Sequence, residues 1–380
     1  METVKGFRDI TNEEALKREK IKELLIQKFC VYGFVPVETP IIEFEEFARA
    51  NQSEETISDI FKLKDKGQRA LALRYELTFQ LKRLAQNKKL PYRRYQIGEV
   101  FRDEPVSSNR FREFTQCDID VIGSTARDEA EILKLFSEIL KELKIEAIIY
   151  FNNRKLLNEI LEEQKIKQKI EVIKEIDKLD KLPESEIKAN LRKYKAEKIL
   201  ALFKKPATYF KKYNSFKEIQ ELENYCRNYG VQVKFLPSLA RGLAYYNGSV
   251  FEIKTKAMKE SIAGGGSYLV NGIQSTGISF GLDRLATLAK ITPDTIKAII
   301  ISIAQDKASI MLAEKLRAQG ISCFVMDKLS KALDYANSQG IPFAIFIGAE
   351  EMKKKKFKLR DMKTGRESLL TESALAERLK

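Results

Sequence analysis

A change of sequence pattern at residues 153–230 constrains the fold most strongly. These residues are rich in Lys and Glu, their apolar positions recur at helical spacing, and almost no strand pattern occurs among them. Strand patterns lie on both sides of them, at Arg93–Phe101, Arg110–Ile122, Glu146–Asn152, Val231–Leu236, Ser249–Lys254 and Gly277–Phe280. We therefore predict a helical insertion within a strand-rich body.

Two of these strand patterns are close neighbours in the chain. Arg93–Phe101 and Arg110–Ile122 enclose a polar turn at Asp103–Asn109, which predicts an antiparallel hairpin with a long loop. Upstream, Ala70–Arg74 has the pattern of a strand and leads into a predicted helix at Glu76–Leu90.

The C-terminal part alternates short strand patterns with helical ones. The segments are Ala298–Ile303, Ala308–Gln319, Cys323–Val325, Ser330–Gln339 and Phe343–Ile347. This β-α-β-α-β order predicts a small sheet with parallel strand pairs and helices on its faces. A linker pattern near Pro293 separates this part from the rest of the chain. The predicted domains are therefore one core in two parts (residues 1–150 and 236–292), the insertion (151–235) and a C-terminal domain (297–380).

The net charge of +14 is concentrated in two of these domains. Residues 151–235 hold 20 Lys and Arg against 13 Asp and Glu, and residues 297–380 hold 16 against 10, including the run Lys353–Lys356. The remaining residues are balanced, with 32 against 31. One polyanion that touches both blocks would explain this distribution. Two solvated, lysine-rich surfaces are the alternative.

The composition excludes several kinds of chemistry. The chain has no His, so relays of the Ser-His-Asp or Cys-His type and zinc sites with imidazole ligands are not possible. Its four Cys are scattered without a C-x-x-C pair, which predicts free thiols in a reducing cytosol. The sequence has neither a run of about 18 apolar residues nor a signal-type N-terminus, so we expect a cytoplasmic protein without a membrane partner.

The predicted hairpin carries the first group of candidate site residues. Arginines, the side chains best suited to bind phosphate in a bidentate fork, flank its loop at Arg102, Arg110 and Arg112. Phe114 offers a flat face to a base. Gln116, Asp118 and Asp120 alternate by two and therefore share one face of a strand, where polar groups need partners such as a ligand. A charged hairpin with cross-strand ion pairs is the plainer interpretation.

Two glycine-containing segments complete the candidate site. One is Arg241–Gly248, where glycines flank an arginine and the pair Tyr245-Tyr246. The other is the turn expected at Gly264–Gly266, followed by Gly281–Arg284 at the predicted start of a helix. Neither segment fits G-x-G-x-x-G or the P-loop pattern, so nucleotide binding here would be of another type.

In order and spacing, these motifs resemble class II aminoacyl-tRNA synthetases, and in detail the histidyl-tRNA synthetase family. The resembling segments are residues 28–40 (motif 1, a dimer-interface element), Phe101–Glu104 with Gln116–Asp120 (motif 2), Gly281–Arg284 (motif 3), Arg241–Tyr246 (the histidine signature), Leu73–Thr78 (the amino-acid segment) and residues 297–380 (the anticodon-binding domain). The resemblance implies an α+β fold: an antiparallel sheet core flanked by helices, with a helical insertion and a C-terminal α/β domain.

The same resemblance implies an ATP-dependent ligase that activates L-histidine and transfers it to the 3′ end of tRNA(His), working as a homodimer. The residues expected to bind ATP are Arg102, Glu104, Arg110, Phe114 and Arg284. Those expected to bind histidine are Glu76, Thr78, Gln116, Asp120, Tyr245, Tyr246 and Tyr268. The expected catalytic residues are Arg102, Arg241 and Arg284.

A chain without His can perform this chemistry. The attacking carboxylate is already ionised and needs no general base, so catalysis consists of positioning and of charge neutralisation by arginines and Mg²⁺. ATP enters as a substrate, and we expect no fixed metal site built from protein side chains.

The sequence departs from the family pattern at Ala244, Ser267 and Leu269, beside the tyrosines of the expected histidine site. Two other functions stay open. One is a non-catalytic, synthetase-like regulatory subunit of ATP phosphoribosyltransferase, although such paralogues usually lack the C-terminal domain and the motif arginines that this chain has. The other is a tRNA- or RNA-binding module without ATP dependence.

Overall fold

The structure, a computed structural model, describes residues 1–50, 54–107, 109–180, 182–240, 245–293 and 295–380. It comprises two compact units, Met1–Thr292 and Pro293–Lys380. The finer domain boundaries given above stay predictions. No helix in the described parts of the chain is both long enough and apolar enough to cross a lipid bilayer.

The first unit contains strands and helices from both sides of the insertion. Its strands are β1 (Val35–Pro36), β2 (Ile42–Phe44), β3 (Lys62–Lys64), β4 (Ala70–Leu73), β5 (Tyr92–Phe101), β6 (Glu113–Ile122), β7 (Ile148–Asn153), β8 (Val233–Phe235), β9 (Tyr246–Lys254), β10 (Ala263–Val270) and β11 (Ile273–Gly281). Its helices are α1 (Asn12–Val31), α2 (Glu45–Arg49), α3 (Glu54–Ser58), α4 (Leu81–Leu84), α5 (Ala126–Glu142), α6 (Arg154–Glu163), α7 (Lys169–Asp177), α8 (Glu184–Arg192), α9 (Ile199–Phe203), α10 (Phe216–Asn228) and α11 (Leu282–Leu288).

An eight-stranded sheet forms the centre of this unit, in the order β1-β5-β6-β11-β10-β9-β7-β8. The strands from β5 to β7 in this order pair antiparallel, whereas the edge strands β1 and β8 pair parallel to their neighbours. Strands β5 and β6 pair from Tyr92–Ile122 to Phe101–Glu113. The predicted hairpin and the α+β fold with an antiparallel core are therefore confirmed.

One face of the sheet is apolar because strand residues alternate between faces. Cys117, Ile119 and Val121 of β6 are fully buried on it. Helix α5 begins with a capping box between Thr125 and Asp128 and packs on this face. There Phe136 stacks on Phe280 of β11, with ring centroids 4.0 Å apart. The opposite face of the β5–β6 hairpin is thereby left to the polar residues.

The inserted segment is helical, as its pattern predicted. It comprises α6 to α10 with two short 3₁₀ turns, Lys178–Asp180 and Ala207–Lys212. Its apolar residues, such as Leu156, Ile173 and Leu191, belong to the same buried cluster as the face of the sheet that packs on α5. The insertion is therefore anchored in the core of the first unit.

The second unit is a five-stranded sheet in the order β13-β12-β14-β15-β16. Its elements are β12 (Ala298–Ser302), α12 (Asp306–Arg317), β13 (Cys323–Met326), α13 (Leu329–Ser338), β14 (Phe343–Ile347), α14 (Ala349–Lys354), β15 (Phe357–Asp361), β16 (Glu367–Leu370) and α15 (Glu372–Leu379). Strand β12 pairs parallel to β13 and β14, as predicted. Alternate residues of β12 pack against α12 and α15 on one face and against α13 on the other.

Two local predictions are wrong. The helix expected at Glu76–Leu90 is only the single turn α4. The segment before it is irregular, and there the Glu76 carboxylate accepts a hydrogen bond from the Phe79 amide. The turn expected at Gly264–Gly266 is instead part of strand β10. A Cβ at Gly265 would overlap the Gly277 carbonyl oxygen on β11, so glycine there permits close packing of two strands.

Candidate active site

Polar side chains line the second face of the β5–β6 hairpin. Asp118 and Asp120 of β6 lie opposite Gln96 and Arg94 of β5, and Gln116 lies opposite Gly98. The two aspartates are 4% and 2% exposed. Buried carboxyl groups on a strand need partners, so this face is the first part of a candidate site.

The Asp120 carboxylate is held from two sides. Arg94 is fully buried and places Nη2 2.6 Å from Asp120 Oδ2. The Tyr268 hydroxyl on β10 donates a hydrogen bond to Asp120 Oδ1. Arg94 Nη2 also donates to the Leu77 carbonyl oxygen at 2.8 Å. One arginine thus connects the carboxylate to the irregular segment after β4.

Two further carboxyl groups have perturbed acidity. Burial raises the pKa of Glu76 to about 8, with the neighbouring Asp118 adding to the effect and Arg102 opposing it. Burial likewise raises the pKa of Asp118 to about 7, against the attraction of Arg94. The Phe79 amide donates to Glu76 Oε1 at 3.0 Å. A cationic ligand near these groups would favour their ionised forms.

Two amide side chains beside these carboxyl groups offer free acceptors. Gln116 Nε2 donates to Ser279 Oγ at 3.0 Å, and Gln96 Nε2 donates to Thr39 Oγ1 at 2.9 Å. The Oε1 atoms of both glutamines are buried without a hydrogen-bond partner among the described residues. Buried acceptors without partners are costly unless a ligand donates to them.

Three tyrosines enclose the same region. The ring centroid of Tyr245 lies 4.7 Å from that of Tyr246 and 5.5 Å from that of Tyr268. Burial raises the pKa of Tyr268 well above its ordinary value, and the neighbouring Asp120 adds to the effect. Tyr268 therefore stays protonated and acts as a hydrogen-bond donor.

Arg102 adjoins both this polar face and the loop of the hairpin. Its guanidinium lies 4.3 Å from the ring centroid of Tyr75 and 5.0 Å from that of Phe114. Its Nε donates to the Tyr75 carbonyl oxygen at 3.2 Å. Arg102 thus lies between aromatic rings with its position fixed by the residue that precedes Glu76.

The hairpin loop pairs its own charges. Arg110 Nε lies 2.6 Å from Glu104 Oε2, and Arg112 Nη2 lies 3.0 Å from Asp103 Oδ1. Arg112 Nε also donates to the Glu104 carbonyl oxygen at 3.2 Å. Because Arg110 is half exposed, its pair with Glu104 can open to admit an anion.

At the start of α11, Asp283 and Arg284 point to different partners. Arg284 Nη1 donates to the Ser261 carbonyl oxygen at 2.6 Å. Asp283 accepts from Arg18 at 2.7 Å and from the Thr115 amide at 3.2 Å. Asp283 therefore ties motif 3 to strand β6 next to Phe114.

Glu76 interacts electrostatically with Arg102, Asp120 and Tyr245. Tyr268 bonds Asp120, so the structure brings these histidine-site candidates and Arg102 into one neighbourhood. Thr78 is half-buried and lies in the segment that follows Glu76. Arg241 and Ala244 lie outside the described residues. The individual roles of all these residues stay predictions.

The positions that depart from the family pattern differ in environment. Ser267 is buried and its hydroxyl donates a hydrogen bond to the buried Glu129 of α5, whereas Leu269 is 50% exposed. Ser267 thus contacts α5, while the adjacent Tyr268 contacts Asp120 on the opposite face of β10.

Sequence reasoning missed Arg94, and it included Arg74 only as a member of the amino-acid segment Leu73–Thr78, without a role of its own. Arg74 donates from Nε to the Glu99 carbonyl oxygen at 2.6 Å and from Nη1 to the Thr39 carbonyl oxygen at 2.8 Å. A Cβ at Gly98 would lie 2.6 Å from Arg74 Nη2, so that glycine provides space for the arginine. The available signal for Arg94 was its two-residue spacing from Gln96, which puts both side chains on the face of β5 that pairs with Asp120 and Asp118 of β6.

Within the described parts of the chain, no group of three or more Cys, Asp or Glu side chains is arranged to hold a metal ion. What the site offers is a set of buried carboxyl groups and free amide oxygens beside arginines. Such a set can bind a small cationic or hydrogen-bond-donating ligand next to a polyphosphate.

Known proteins are similar to this chain over its full length. Residues 6–285 match the family model for histidyl-tRNA synthetase, and residues 297–380 match that for an anticodon binding domain. A histidine–tRNA ligase of Bacillus cereus is 34% identical, with 100% of this chain and 99% of that protein covered. One from Helicobacter pylori is 33% identical, with 95% and 93% covered.

A solved structure shows the same fold. The crystal structure of histidyl-tRNA synthetase from Nostoc sp. PCC 7120 has a TM-score of 0.86 with this chain at 27% identity, covering 100% of this chain and 98% of that one. With a family match across most of the chain and relatives above 30% identity over nearly its whole length, the chain belongs to the histidyl-tRNA synthetase family.

Proposed function

We propose that this protein is a histidine–tRNA ligase, which forms histidyl-adenylate from L-histidine and ATP and transfers histidine to the 3′ end of tRNA(His). The observation that carries the proposal is the buried Arg94–Asp120–Tyr268 arrangement, together with Arg102, which acts electrostatically on the neighbouring Asp118. A buried carboxylate that can bind the amino acid, near an arginine suited to phosphate, supports this proposal, because activation requires the two substrates to be held side by side.

The polar face of the hairpin binds the histidine. Asp120 and the free oxygens of Gln116 and Gln96 accept hydrogen bonds, and an imidazole ring donates one from N–H when neutral and two when protonated. Glu76, buried with a raised pKa, ionises when the substrate α-ammonium group arrives. A site that hydrogen-bonds the imidazole in this way rejects analogues that lack its donors.

Arginines bind and activate the ATP. Arg102 holds the α-phosphate, Arg110 takes the terminal phosphates when it leaves Glu104, and Arg284 with Phe114 encloses the adenine. Mg²⁺ enters with the ATP phosphates as part of the substrate, because no fixed protein site is needed for it. Arg241 neutralises the α-phosphate near the attacking carboxylate.

The reaction needs no proton transfer from the enzyme in its first step. The histidine carboxylate attacks the α-phosphorus, a new P–O bond forms, and the bond to the β-phosphate oxygen breaks to release pyrophosphate. Each arginine stabilises negative charge on the phosphate oxygens as it redistributes. This role suits Arg, which stays charged at any physiological pH.

The two basic blocks bind the tRNA. Residues 151–235 approach its acceptor end and residues 297–380 read its anticodon, which places 36 of the 68 basic side chains in the two contacting regions. The protein acts in the cytoplasm as a homodimer formed through residues 28–40. A regulatory subunit would not need this second unit or the intact set of arginines.

The direct test is aminoacylation of tRNA with histidine. Purified protein, ATP, Mg²⁺ and labelled histidine should yield acid-precipitable histidyl-tRNA with tRNA(His) transcripts, and no product with another tRNA. Binding of tRNA that does not depend on ATP, with no charging, would instead support an RNA-binding module.

A further inference from the structure

Residues Thr3–Arg8 lie against the hairpin loop of the candidate ATP site. The Gly6 carbonyl oxygen accepts hydrogen bonds from the Arg112 amide at 2.9 Å and from the Glu113 amide at 3.4 Å. Within the segment, the Phe7 amide donates to the Val4 carbonyl oxygen at 2.9 Å. This compact turn is therefore bonded to the point where the loop re-enters strand β6.

Gly6 allows a close approach that no other residue would. Its φ is +89°, and an added Cβ would lie 2.7 Å from Arg112 Cγ and 2.9 Å from Arg112 Cδ. Arg112 in turn binds Asp103 through Nη2 and the Glu104 carbonyl oxygen through Nε. The position of Gly6 thus fixes Arg112, and Arg112 fixes the loop residues beside Arg102.

Phe7 anchors the segment in an aromatic pocket. Its ring centroid lies 6.4 Å from that of Phe101 in a stacked arrangement and 5.9 Å from that of Phe61 in an edge arrangement. Phe101 is the last residue of β5 and directly precedes Arg102. The aromatic contact therefore supports the strand end from which the phosphate-binding arginine projects.

Arg8 connects the loop to motif 3. Its guanidinium lies 4.3 Å from the ring centroid of Phe111 in the loop. Its Nη2 lies 3.0 Å from Asp283 Oδ1 and 2.8 Å from Glu14 Oε1. Asp283 precedes Arg284, so one side chain contacts both the loop and the helix start that together would enclose the adenine.

We propose that Gly6, Phe7 and Arg8 are positioning residues of the ATP site, which hold the β5–β6 loop and the start of α11 in the geometry that binds nucleotide. None of the three is among the residues assigned above to bind ATP or histidine. The inference rests on the proposed function, since it assigns a support to the ATP-binding part of that site. Pre-ordering a loop removes an entropy cost from binding, so the effect falls on ATP and spares histidine.

The test uses the full chain with two independent variants, Gly6→Ala and Arg8→Met. In histidine-dependent ATP–pyrophosphate exchange, we expect each variant to raise the KM for ATP about tenfold while the KM for histidine stays within about twofold. Calorimetric titration with Mg·ATP alone should show the same weakening. Arg8→Lys keeps the charge facing Asp283 and should recover part of the loss.

Gly230→Ala is the matched control, because Gly230 has φ of +67° and open space around it. It carries similar backbone strain with no side chain to displace, and should leave the KM for ATP unchanged. Should Gly6→Ala fail to fold, the 32% exposed Arg8 side chain still permits the test.

An unchanged KM for ATP in the folded variants overturns the inference, as does an equal rise in the KM values for ATP and histidine. If the wild-type protein shows no histidine-dependent exchange, the proposed function fails instead. The titration with Mg·ATP then still decides whether the segment positions a nucleotide site.

Discussion

The position of the Asp120 carboxylate depends on the space left by a neighbouring glycine as much as on hydrogen bonds. The residue opposite it on β11 is Gly277, and a Cβ at that position would overlap Asp120 Oδ1 and lie 3.0 Å from the Ile119 carbonyl oxygen. A glycine with an ordinary strand conformation therefore allows the carboxylate to lie flat against the neighbouring strand, where Arg94 and Tyr268 reach it.

Gly277→Ala should displace the Asp120 carboxylate. We expect the KM for histidine to rise at least about tenfold and the free energy of unfolding to fall by about 1–3 kcal/mol, as for other overpacked sites. Exchange kinetics and urea denaturation measure the two effects. Gly67→Ala, which lies outside the candidate site and has its nearest neighbouring atom 3.4 Å away, is the control. Equal behaviour of the two variants would refute the steric role.

Glu76 makes stability depend on pH. Its pKa is about 8 in the folded chain against an ordinary value of 4.5, so between these values the folded state binds more protons than the unfolded state. The free energy of unfolding therefore falls as pH rises through this window and levels off above it. In Glu76→Gln the decline should be shallower by about 1–3 kcal/mol between pH 5 and 8.5. Urea denaturation across this range measures the free energy of unfolding of both proteins. If it changes with pH in parallel for the wild type and Glu76→Gln, the raised pKa of Glu76 is contradicted.

Arg241 is assigned by resemblance alone, so its prediction is purely functional. Arg241→Ala should slow adenylate formation by about 100-fold or more, because a group that neutralises transition-state charge is lost. Binding of tRNA should change little. Arg49→Ala, which removes an exposed arginine paired with Glu45, should affect neither. Equal losses of adenylate formation and tRNA binding would contradict the role.

At the level of elements, the long periodic segments were predictable, whereas the irregular segment after β4 was not. The hairpin β5–β6, the helical insertion and the strands of the second unit follow from pattern, because burial against a core imposes that pattern. The segment after β4 has helical spacing, yet it is largely irregular where Glu76 and Leu77 contribute to the site. The demands of the site override local propensity there.

The partners of the site residues also lay beyond sequence reasoning. Asp120 could be placed on a strand face from its spacing, but its contacts come from β10 and from the neighbouring strand β5. The side chain of Tyr268 is 148 positions away in the chain. Only strand order and register bring such residues together, and the sequence did not specify the order β6-β11-β10.

The lysine run Lys353–Lys356 begins in the last turn of α14 and is a candidate RNA-binding surface of the second unit. Lys353 and Lys356 are exposed, and replacing both with Gln should weaken tRNA binding several-fold and reduce the slope of log K against log salt by about one to two. Filter binding at a series of salt concentrations measures both quantities. Gln at the exposed Lys64 and Lys66 of the first unit removes the same charge and should have a smaller effect. No difference between the two pairs would identify the run as a solvated face.

At the scale of the whole molecule, the excess positive charge is concentrated in two separate regions of the chain. The first unit carries the sheet with the candidate site, and the second carries six of the excess positive charges within residues 297–380. The insertion carries seven more at residues 151–235, while the remaining residues are almost neutral. This separation suits an enzyme that handles small substrates in one region and a long polyanion in two others.

The most direct test of the proposed function is amino-acid-dependent exchange between ATP and labelled pyrophosphate, measured for the purified chain with each standard amino acid in turn. We expect exchange with histidine and none with any other standard amino acid. Absence of exchange in the presence of histidine, or equal exchange with another amino acid, would contradict the proposed function.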